Sequence, residues 1–147
     1  MSIFNSFNIN ASGMTAERYR MDVISENVAN VNTTRTSDGT PYKRKIVTFE
    51  EKNATPASFS SYLGHASEQY TGQGVKVSSV TEDDYTEMNM VYDPSHPDAD
   101  ENGYVTYPNV NIVTEMTNLI DASRSYEANA TAFNASKTIA MKGLEMS

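Results

Sequence analysis

Residues 111–142 read NIVTEMTNLIDASRSYEANATAFNASKTIAMK, and this stretch indicates the fold class more strongly than any other. A 4-3 spacing runs without a break through ten positions: Ile112, Met116, Leu119, Ser123, Tyr126, Ala130, Phe133, Lys137, Ala140 and Leu144. Most of these are apolar or aromatic, and such a 3.5-residue repeat is typical of a coiled-coil seam. Asn111 is a suitable N-cap and Gly143 a suitable stop. We predict one helix of roughly 48 Å, which is too long for a compact small domain.

The N-terminal segment carries a weaker version of the same repeat. Phe7, Met14, Met21 and Val28 recur every seven residues, and Ile24 occupies an intermediate position. The pattern stops at the run NVNTT over residues 30–34, because Asn tolerates a helix end and paired Thr residues resist continuation. We therefore predict a second helix within residues 1–34.

The middle of the chain reads as short strands and turns. Residues 53–74 are small and polar, which predicts a loop. Four short segments are rich in β-branched and aromatic residues, namely 42–49, 75–80, 88–92 and 104–107. We predict an α+β fold with long terminal helices in a coiled-coil-like core and a small β-rich insert between them. The three predicted parts are residues 1–34, 35–108 and 109–147.

Both predicted helices present an apolar stripe that the small insert cannot cover. Burying one large apolar side chain is worth roughly 1.5–3 kcal/mol, so uncovered stripes favour contacts with neighbouring chains. We expect the ends to be poorly ordered in the monomer and to fold on assembly. A core helix within a bundle is the alternative. The predicted assembly interface comprises Phe7, Met14, Met21, Ile24, Val28, Met116, Leu119, Tyr126, Ala130, Phe133, Ala140 and Leu144.

The charge distribution excludes several functional classes. The net charge is −8, and residues 82–101 hold eight acids without any Lys or Arg, so the rest of the chain is balanced. A nucleic-acid binder needs a basic surface, which this chain lacks. The absence of Cys excludes a disulfide scaffold, cysteine-ligated zinc and a thiol nucleophile.

Targeting signals are also missing. No run approaches eighteen apolar residues, so we expect no membrane-spanning segment. The start has no cationic region, since the first basic residue is Arg18, and no long apolar run. We expect the chain either to stay in the cytosol or to leave it by a route that cleaves nothing.

Candidate chemical sites are few. His65 and His96 are the only histidines, and both lie in loop-like sequence, so a hydrolase site is a minor hypothesis. Residues 98–103 match the opening of an EF-hand loop, but Asn109 stands where a bidentate Glu is required. An acidic turn bonded to its own backbone is the simpler interpretation, and a small calcium-binding module is the alternative function.

The basic cluster Lys43-Arg44-Lys45 lies on a predicted strand. A solvated face is the simplest interpretation of so short a run. Docking onto the acidic residues 82–101 of a neighbouring copy is a second possibility, and nucleic acid is disfavoured.

Three strings resemble the bacterial flagellar rod and hook proteins. Residues 25–33 (SENVANVNT) resemble the N-terminal signature of that family, and residues 115–129 resemble its C-terminal signature. Residues 91–110 resemble the proximal-rod subunits within the family, and the length fits those subunits too. The signature positions are Asn27, Ala29, Asn30, Asn32, Thr33, Asp93, Pro94, Pro97, Asp98, Gly103, Pro108, Asn109, Arg124, Tyr126, Ala128 and Asn129.

The resemblance implies a structural protein without catalytic activity, cofactor or metal. It implies export, uncleaved, through the flagellar type III apparatus and helical assembly in the basal body of the cell envelope. The implied partners are other copies, other proximal-rod and distal-rod subunits, and the basal adaptor of the export gate. The implied function is a drive shaft that transmits torque and encloses the export channel.

Overall fold

The computed structural model describes residues 3–52 and 72–145 of the 147-residue chain. Its elements in chain order are α1 (Ile3–Ala29), β1 (Lys45–Glu51), β2 (Val75–Glu82), β3 (Asn89–Tyr92), β4 (Tyr104–Tyr107) and α2 (Ile112–Glu145). The predicted α+β class is confirmed: two terminal helices flank a small antiparallel insert. Most of the predicted loop at residues 53–74 lies outside the described residues.

The two helices run antiparallel along each other. Phe7 near the start of α1 meets Phe133 late in α2, with ring centroids 5.0 Å apart. At the other end, the Asn27 side chain bonds the Glu115 side chain. Within residues 3–52 and 72–145, no helix is both long enough and apolar enough to cross a membrane.

Small residues allow the helices to approach closely. Ala16 on α1 and Ala122 on α2 are both buried. A Cβ added at Gly13 would come within 2.9 Å of the Asn129 side chain, so the Asn129 side chain would have to move to accept a larger residue. The helix pair therefore packs with little apolar bulk between its axes.

Local signals explain the helix ends. Asn111 caps α2, because its Oδ1 accepts from the Val113 and Thr114 backbone N–H groups over 3.0 and 3.2 Å. Helix α1 ends at Ala29, and the side-chain amide of Asn30 then donates to the Glu26 backbone carbonyl over 2.9 Å. The helix thus ends one residue after Val28, the last position of the predicted repeat.

The described part of the insert contains two separate antiparallel hairpins. Strands β1 and β2 pair antiparallel, with a register irregularity between Thr48 and Phe49. Strands β3 and β4 pair antiparallel from Asn89 opposite Tyr107 to Tyr92 opposite Tyr104. The first hairpin is anchored to α1, because the Val75 N–H donates to Ser12 Oγ over 3.0 Å.

Candidate functional site

The ends of both helices meet the insert at a cluster of buried polar side chains. We call this cluster the polar joint; its buried members are Asn27, Tyr42, Asp83, Asn109 and Glu115, and the half-buried Arg44 joins them. Buried polar groups are costly unless bonded, so a buried cluster of this size must satisfy itself internally.

Asn27 is fully buried and makes four hydrogen bonds. Its Nδ2 donates to the Lys45 carbonyl over 2.9 Å and to Glu115 Oε2 over 3.1 Å. Its Oδ1 accepts from the Lys45 N–H and from the Tyr42 hydroxyl, both over 2.9 Å. One amide therefore ties the end of α1 to the start of β1 and to α2.

Glu115 supplies the joint with a buried charge, since only 1% of the residue is exposed. Its Oε1 accepts from Arg44 Nε over 2.8 Å. The same guanidinium reaches Asp83 Oδ2 through Nη1 at 3.4 Å. Arg44 thereby links the first turn of α2 to the residue that follows β2.

Asn109 closes the joint from the loop before α2. Its Oδ1 accepts from the Arg44 N–H over 2.8 Å. Its Nδ2 donates to the Asp83 and Thr86 carbonyls over 2.8 and 3.1 Å. This buried amide holds the loop between β2 and β3 against the chain entering β1.

Two pKa shifts follow from these contacts. The Thr86 hydroxyl, which donates to Asp83 Oδ2 over 2.8 Å, is the largest cause that lowers the pKa of Asp83. Burial, followed by the charges of Glu26 and Glu115, raises the pKa of Tyr42 to about 12. Tyr42 therefore keeps its proton at neutral pH, and its hydroxyl donates a hydrogen bond to Asn27 Oδ1.

The structure brings two signature residues, Asn27 and Asn109, into one joint. Sequence reasoning missed Arg44 and Asp83, which pair across 39 residues of chain. Lys43 also pairs within the chain, with Asp84 at 2.6 Å and with Glu82 at 3.9 Å. Lys43 and Arg44 therefore contact the acidic stretch of their own chain, whereas Lys45 pairs with Glu26 on α1, and the solvated-face interpretation fails for Arg44.

A second group of signature residues closes the end of α1. The Thr33 hydroxyl donates to Asn30 Oδ1 over 3.1 Å. Ala29 and Asn32 are exposed beside them. These residues end the helix and lead the chain towards the insert.

The remaining signature residues lie in the second hairpin and on α2. Gly103 has φ +82°, a backbone conformation that favours glycine, at the turn before β4. The Ser95 hydroxyl is the main cause that lowers the pKa of Asp93. Pro108 is a buried signature residue. Four other signature residues are exposed, namely Pro94, Pro97, Arg124 and Ala128.

In the acidic turn of residues 98–103, the Asp98 and Asp100 carboxylates bond groups of the same chain. Asp98 accepts from the Thr34 hydroxyl over 2.8 Å and lies 3.5 Å from the Arg35 guanidinium. Asp100 Oδ1 accepts from the Asn102 and Tyr104 N–H groups. No group of three or more possible metal ligands occurs within residues 3–52 and 72–145. Nothing in the turn's geometry favours the calcium-binding alternative.

Within the described residues, the contacts of His96 give no support to a hydrolase site. His96 Nδ1 accepts from the Asp98 N–H over 3.1 Å, and its ring packs edge-on against Tyr107. His65 lies outside the described residues. His96 therefore serves the local fold of the second hairpin.

The predicted assembly residues divide into inward and outward positions. Ile24 is buried, and most of the others are half-buried: Phe7, Met14, Met21, Val28, Leu119, Tyr126, Ala130, Phe133 and Ala140. Met116 and Leu144 are instead exposed, at 54% and 77%. Their role in contacts between copies stays a prediction.

One exposed apolar surface stands out at the insert end of α2. It comprises Ile112, Val113, Met116 and Ile120, which share one side of the helix, and we call it the head patch. All four are at least 44% exposed, and Val113 is 75% exposed. An exposed apolar row of this kind marks an interaction surface.

Comparison with known proteins agrees with these features. A family model described as "Flagella basal body rod protein" matches residues 7–35, and one described as "Flagellar basal body rod FlgEFG protein C-terminal" matches residues 101–146. These matches cover α1 and α2, the elements that carry the two terminal signatures.

Curated relatives match over almost the whole chain. The flagellar basal-body rod protein FlgC of Bacillus subtilis strain 168 is 48% identical over 152 residues, covering 99% of each chain. The FlgC of Borreliella burgdorferi is 45% identical, covering 95% of this chain and 93% of the relative. The FlgC of Salmonella typhimurium is 40% identical, covering 99% and 98%.

These relatives are structural, non-enzymatic components of the basal body in the cell envelope. The same role in the rod follows for this chain, together with assembly with its own copies and with other rod components. With near-complete coverage at 40–48% identity, the chain belongs to the FlgC family of bacterial flagellar basal-body rod proteins.

Proposed function

We propose that this rod subunit polymerises helically through α1 and α2, forming a proximal segment of the rod that transmits torque and surrounds the export channel. The proposed division is residues 1–34 and 109–147 for the assembly core and residues 35–108 for the insert. The head patch carries this proposal, because four adjacent apolar side chains face solvent on a terminal helix.

The inner face of α2 explains why the head patch is available to neighbours. Helix α1 covers Glu115, Leu119 and Ala122, which lie on the opposite flank of α2 from Val113. Because the head patch is exposed within its own chain, a neighbouring chain can bury it. Contacts between copies would then complete the sparse apolar core of the helix pair.

The polar joint supports the mechanical part of the proposal. Torque passing through a tube wall loads the junction between the helix pair and the insert. Arg44 and Asn109 cross-link that junction with hydrogen bonds of 2.8 Å, and Glu115 adds a charge-assisted bond. A junction held by several buried polar bonds resists bending more than a single linker does.

Family resemblance supports the finer partner assignments. We propose contacts with the neighbouring proximal-rod and distal-rod subunits and with the basal adaptor of the export gate. We also propose that the flagellar type III apparatus exports the chain. The acidic, solvent-facing turn around Glu101 would form the outer side of the segment.

The test is Met116→Asp in a flagellated bacterium whose own copy of this gene is deleted. A charge in the centre of the head patch should leave the folded monomer and its export unchanged, because Met116 is exposed. It should lower the amount of chain in isolated basal bodies at least about tenfold, and swimming should be lost.

The matched control is Thr114→Asp, an exposed position in the same turn but on a different side of α2. This variant should be incorporated at the wild-type level. Wild-type incorporation and swimming of Met116→Asp would rule out assembly through this face of the helix pair.

A further inference from the structure

Strand β3 has an open edge. The Asp93 N–H donates to the opposite Gly103 carbonyl over 2.9 Å, and the same register continues along the hairpin. Hydrogen-bonded and non-hydrogen-bonded pairs alternate in an antiparallel ladder, so Val91 bonds β4, whereas the N–H and C=O groups of Met90 and Tyr92 point away from β4. The backbone groups of Met90 and Tyr92 bond no other residue in the described part of the chain.

The other strands have outer backbone groups that bond within the chain. The Asp100 carboxylate and N–H both bond the backbone of Tyr104 on the outer edge of β4. In the first hairpin, the Asn27 side chain bonds the N–H and carbonyl of Lys45 at the start of β1. The start of β2 bonds the Ser12 hydroxyl of α1. Among the described strands, β3 is therefore the one most open to a further strand.

Exposed apolar side chains lie on this edge. Met90 and Tyr92 are 71% and 64% exposed, and they share one face of the hairpin because strand side chains alternate. The Tyr92 ring is nevertheless held in place. It meets the Tyr104 ring edge-on at 5.3 Å, and a Cβ added at Gly103 would come within 2.9 Å of it. A fixed, exposed aromatic ring suits a contact surface, because little side-chain freedom is lost on binding.

The surroundings of β3 are acidic. Glu87 precedes the strand, Asp93 follows it directly, and Glu101 lies in the turn between β3 and β4. None of these three acids forms an ion pair with a described residue. Arg35 and Lys43 already pair with other acids. The open edge therefore favours a segment that carries Lys or Arg.

A second copy of this chain does not supply such a segment from its described strands. Lys45 of β1 pairs with Glu26, and Lys76 of β2 lies 3.4 Å from Glu50. Strands β3 and β4 contain no basic residue. Pairing β3 with β3 of another copy would bring acids of like charge together. These observations favour a different protein as the occupant.

We propose that β3 receives an extended, Lys- or Arg-containing segment of another rod component as an added strand. The outward N–H and C=O groups of Met90 and Tyr92 form the main-chain hydrogen bonds, and their side chains supply the apolar contact. The neighbouring acids select a basic segment. This contact is separate from the helix contacts of the proposed function.

Photocrosslinking in isolated basal bodies tests the geometry. Met90→benzoylphenylalanine places a photoreactive side chain on the open edge, in a strain whose own copy of the gene is deleted. Mass spectrometry should locate the main crosslink on another rod protein, in an extended segment with Lys or Arg close by. Asn102→benzoylphenylalanine, exposed in the turn of the same hairpin, is the control and should give at least about fivefold less of this product.

Four results overturn the proposal. They are crosslinking of the Met90 probe only to another copy of this chain, only to a helix, only to cell-wall glycan, or to nothing. Yields are normalised to the amount of incorporated chain. Failure of the head-patch contact and failure of the strand pairing are therefore distinguishable.

Charge reversal at Glu87 tests the selection of a basic partner. Added to the Met90 probe, Glu87→Lys should lower the crosslink yield at least about fivefold, because it places a base beside the basic segment. Asp38→Lys makes the same charge change at an exposed turn before β1 and should leave the yield within about twofold. An unchanged yield with Glu87→Lys, or an equal loss with Asp38→Lys, contradicts a basic partner at β3.

Discussion

At the scale of single residues, Asn27 and Glu115 show how a few polar side chains organise the fold. Asn27 uses both amide donor hydrogens and two acceptor positions within the joint. Glu115 is a buried carboxylate whose two oxygens each have a partner. Burial of this kind makes each member sensitive to loss of the others, because an unpaired buried group keeps its desolvation cost.

Replacing Glu115 by Ala should lower the free energy of unfolding by about 3–5 kcal/mol, because Arg44 and Asn27 would lose their buried partner. Urea unfolding followed by circular dichroism measures the change. Glu26→Ala is the control, since its ion pair with Lys45 is solvent-exposed and should contribute less than about 1 kcal/mol. Equal losses in the two variants would contradict the role of burial.

The pH dependence of stability should depend on Asp83. Its pKa is lowered below the ordinary 3.8, so its contribution is present above about pH 4 and is lost as pH falls through the folded-state pKa. Thr86→Val removes the largest cause of this shift and should move the acid loss of stability to higher pH. Unfolding curves between pH 6 and pH 2 measure it; an unchanged acid limb would count against this assignment.

At the scale of elements, the phase of α2 is the main structural result. The inward positions are Glu115, Leu119, Ala122, Tyr126 and Phe133, whereas Met116 faces solvent. A 3.5-residue repeat drifts by about 20° per heptad around a straight helix. The predicted seam therefore rotates around α2, and its residues face α1 along only part of the helix.

Ala122→Leu should destabilise the helix pair by about 1–3 kcal/mol, because Ala122 is completely buried and a larger side chain would overpack its site. Thermal unfolding by circular dichroism gives the difference. Ala132→Leu, an exposed position on the same helix, should leave the melting temperature within about 2 °C. A tolerated Ala122→Leu would show that α1 and α2 are not closely packed at this level.

At the scale of the whole molecule, buried apolar groups concentrate at the insert end. Val23, Ile24, Val105 and Val110 are all buried near the polar joint. Towards the other end the helix pair relies on half-buried contacts such as Phe7 with Phe133. Stability is therefore expected to fall along the helix pair, away from the insert.

Amide hydrogen exchange of the dilute monomer should follow that gradient. Residues 16–29 and 110–124 should exchange at least about tenfold more slowly than residues 5–12 and 130–142. Incorporation into basal bodies should slow exchange at residues 130–142, because neighbouring copies cover them. Uniform protection along both helices of the free chain would contradict this gradient and the expected ordering on assembly.

The sequence by itself determined the α+β class, the N-cap at Asn111, the helix end near Asn30 and the likeness to rod proteins. These features depend on periodicity and capping, which act over a few neighbouring residues. Only the tertiary structure decided that Arg44 bonds Glu115 and Asp83, and that Met116 faces outward while Ala122 faces inward. Long-range partners depend on how the elements pack. The sequence shows that Arg44 carries a positive charge, but it does not show which acidic residue lies next to it.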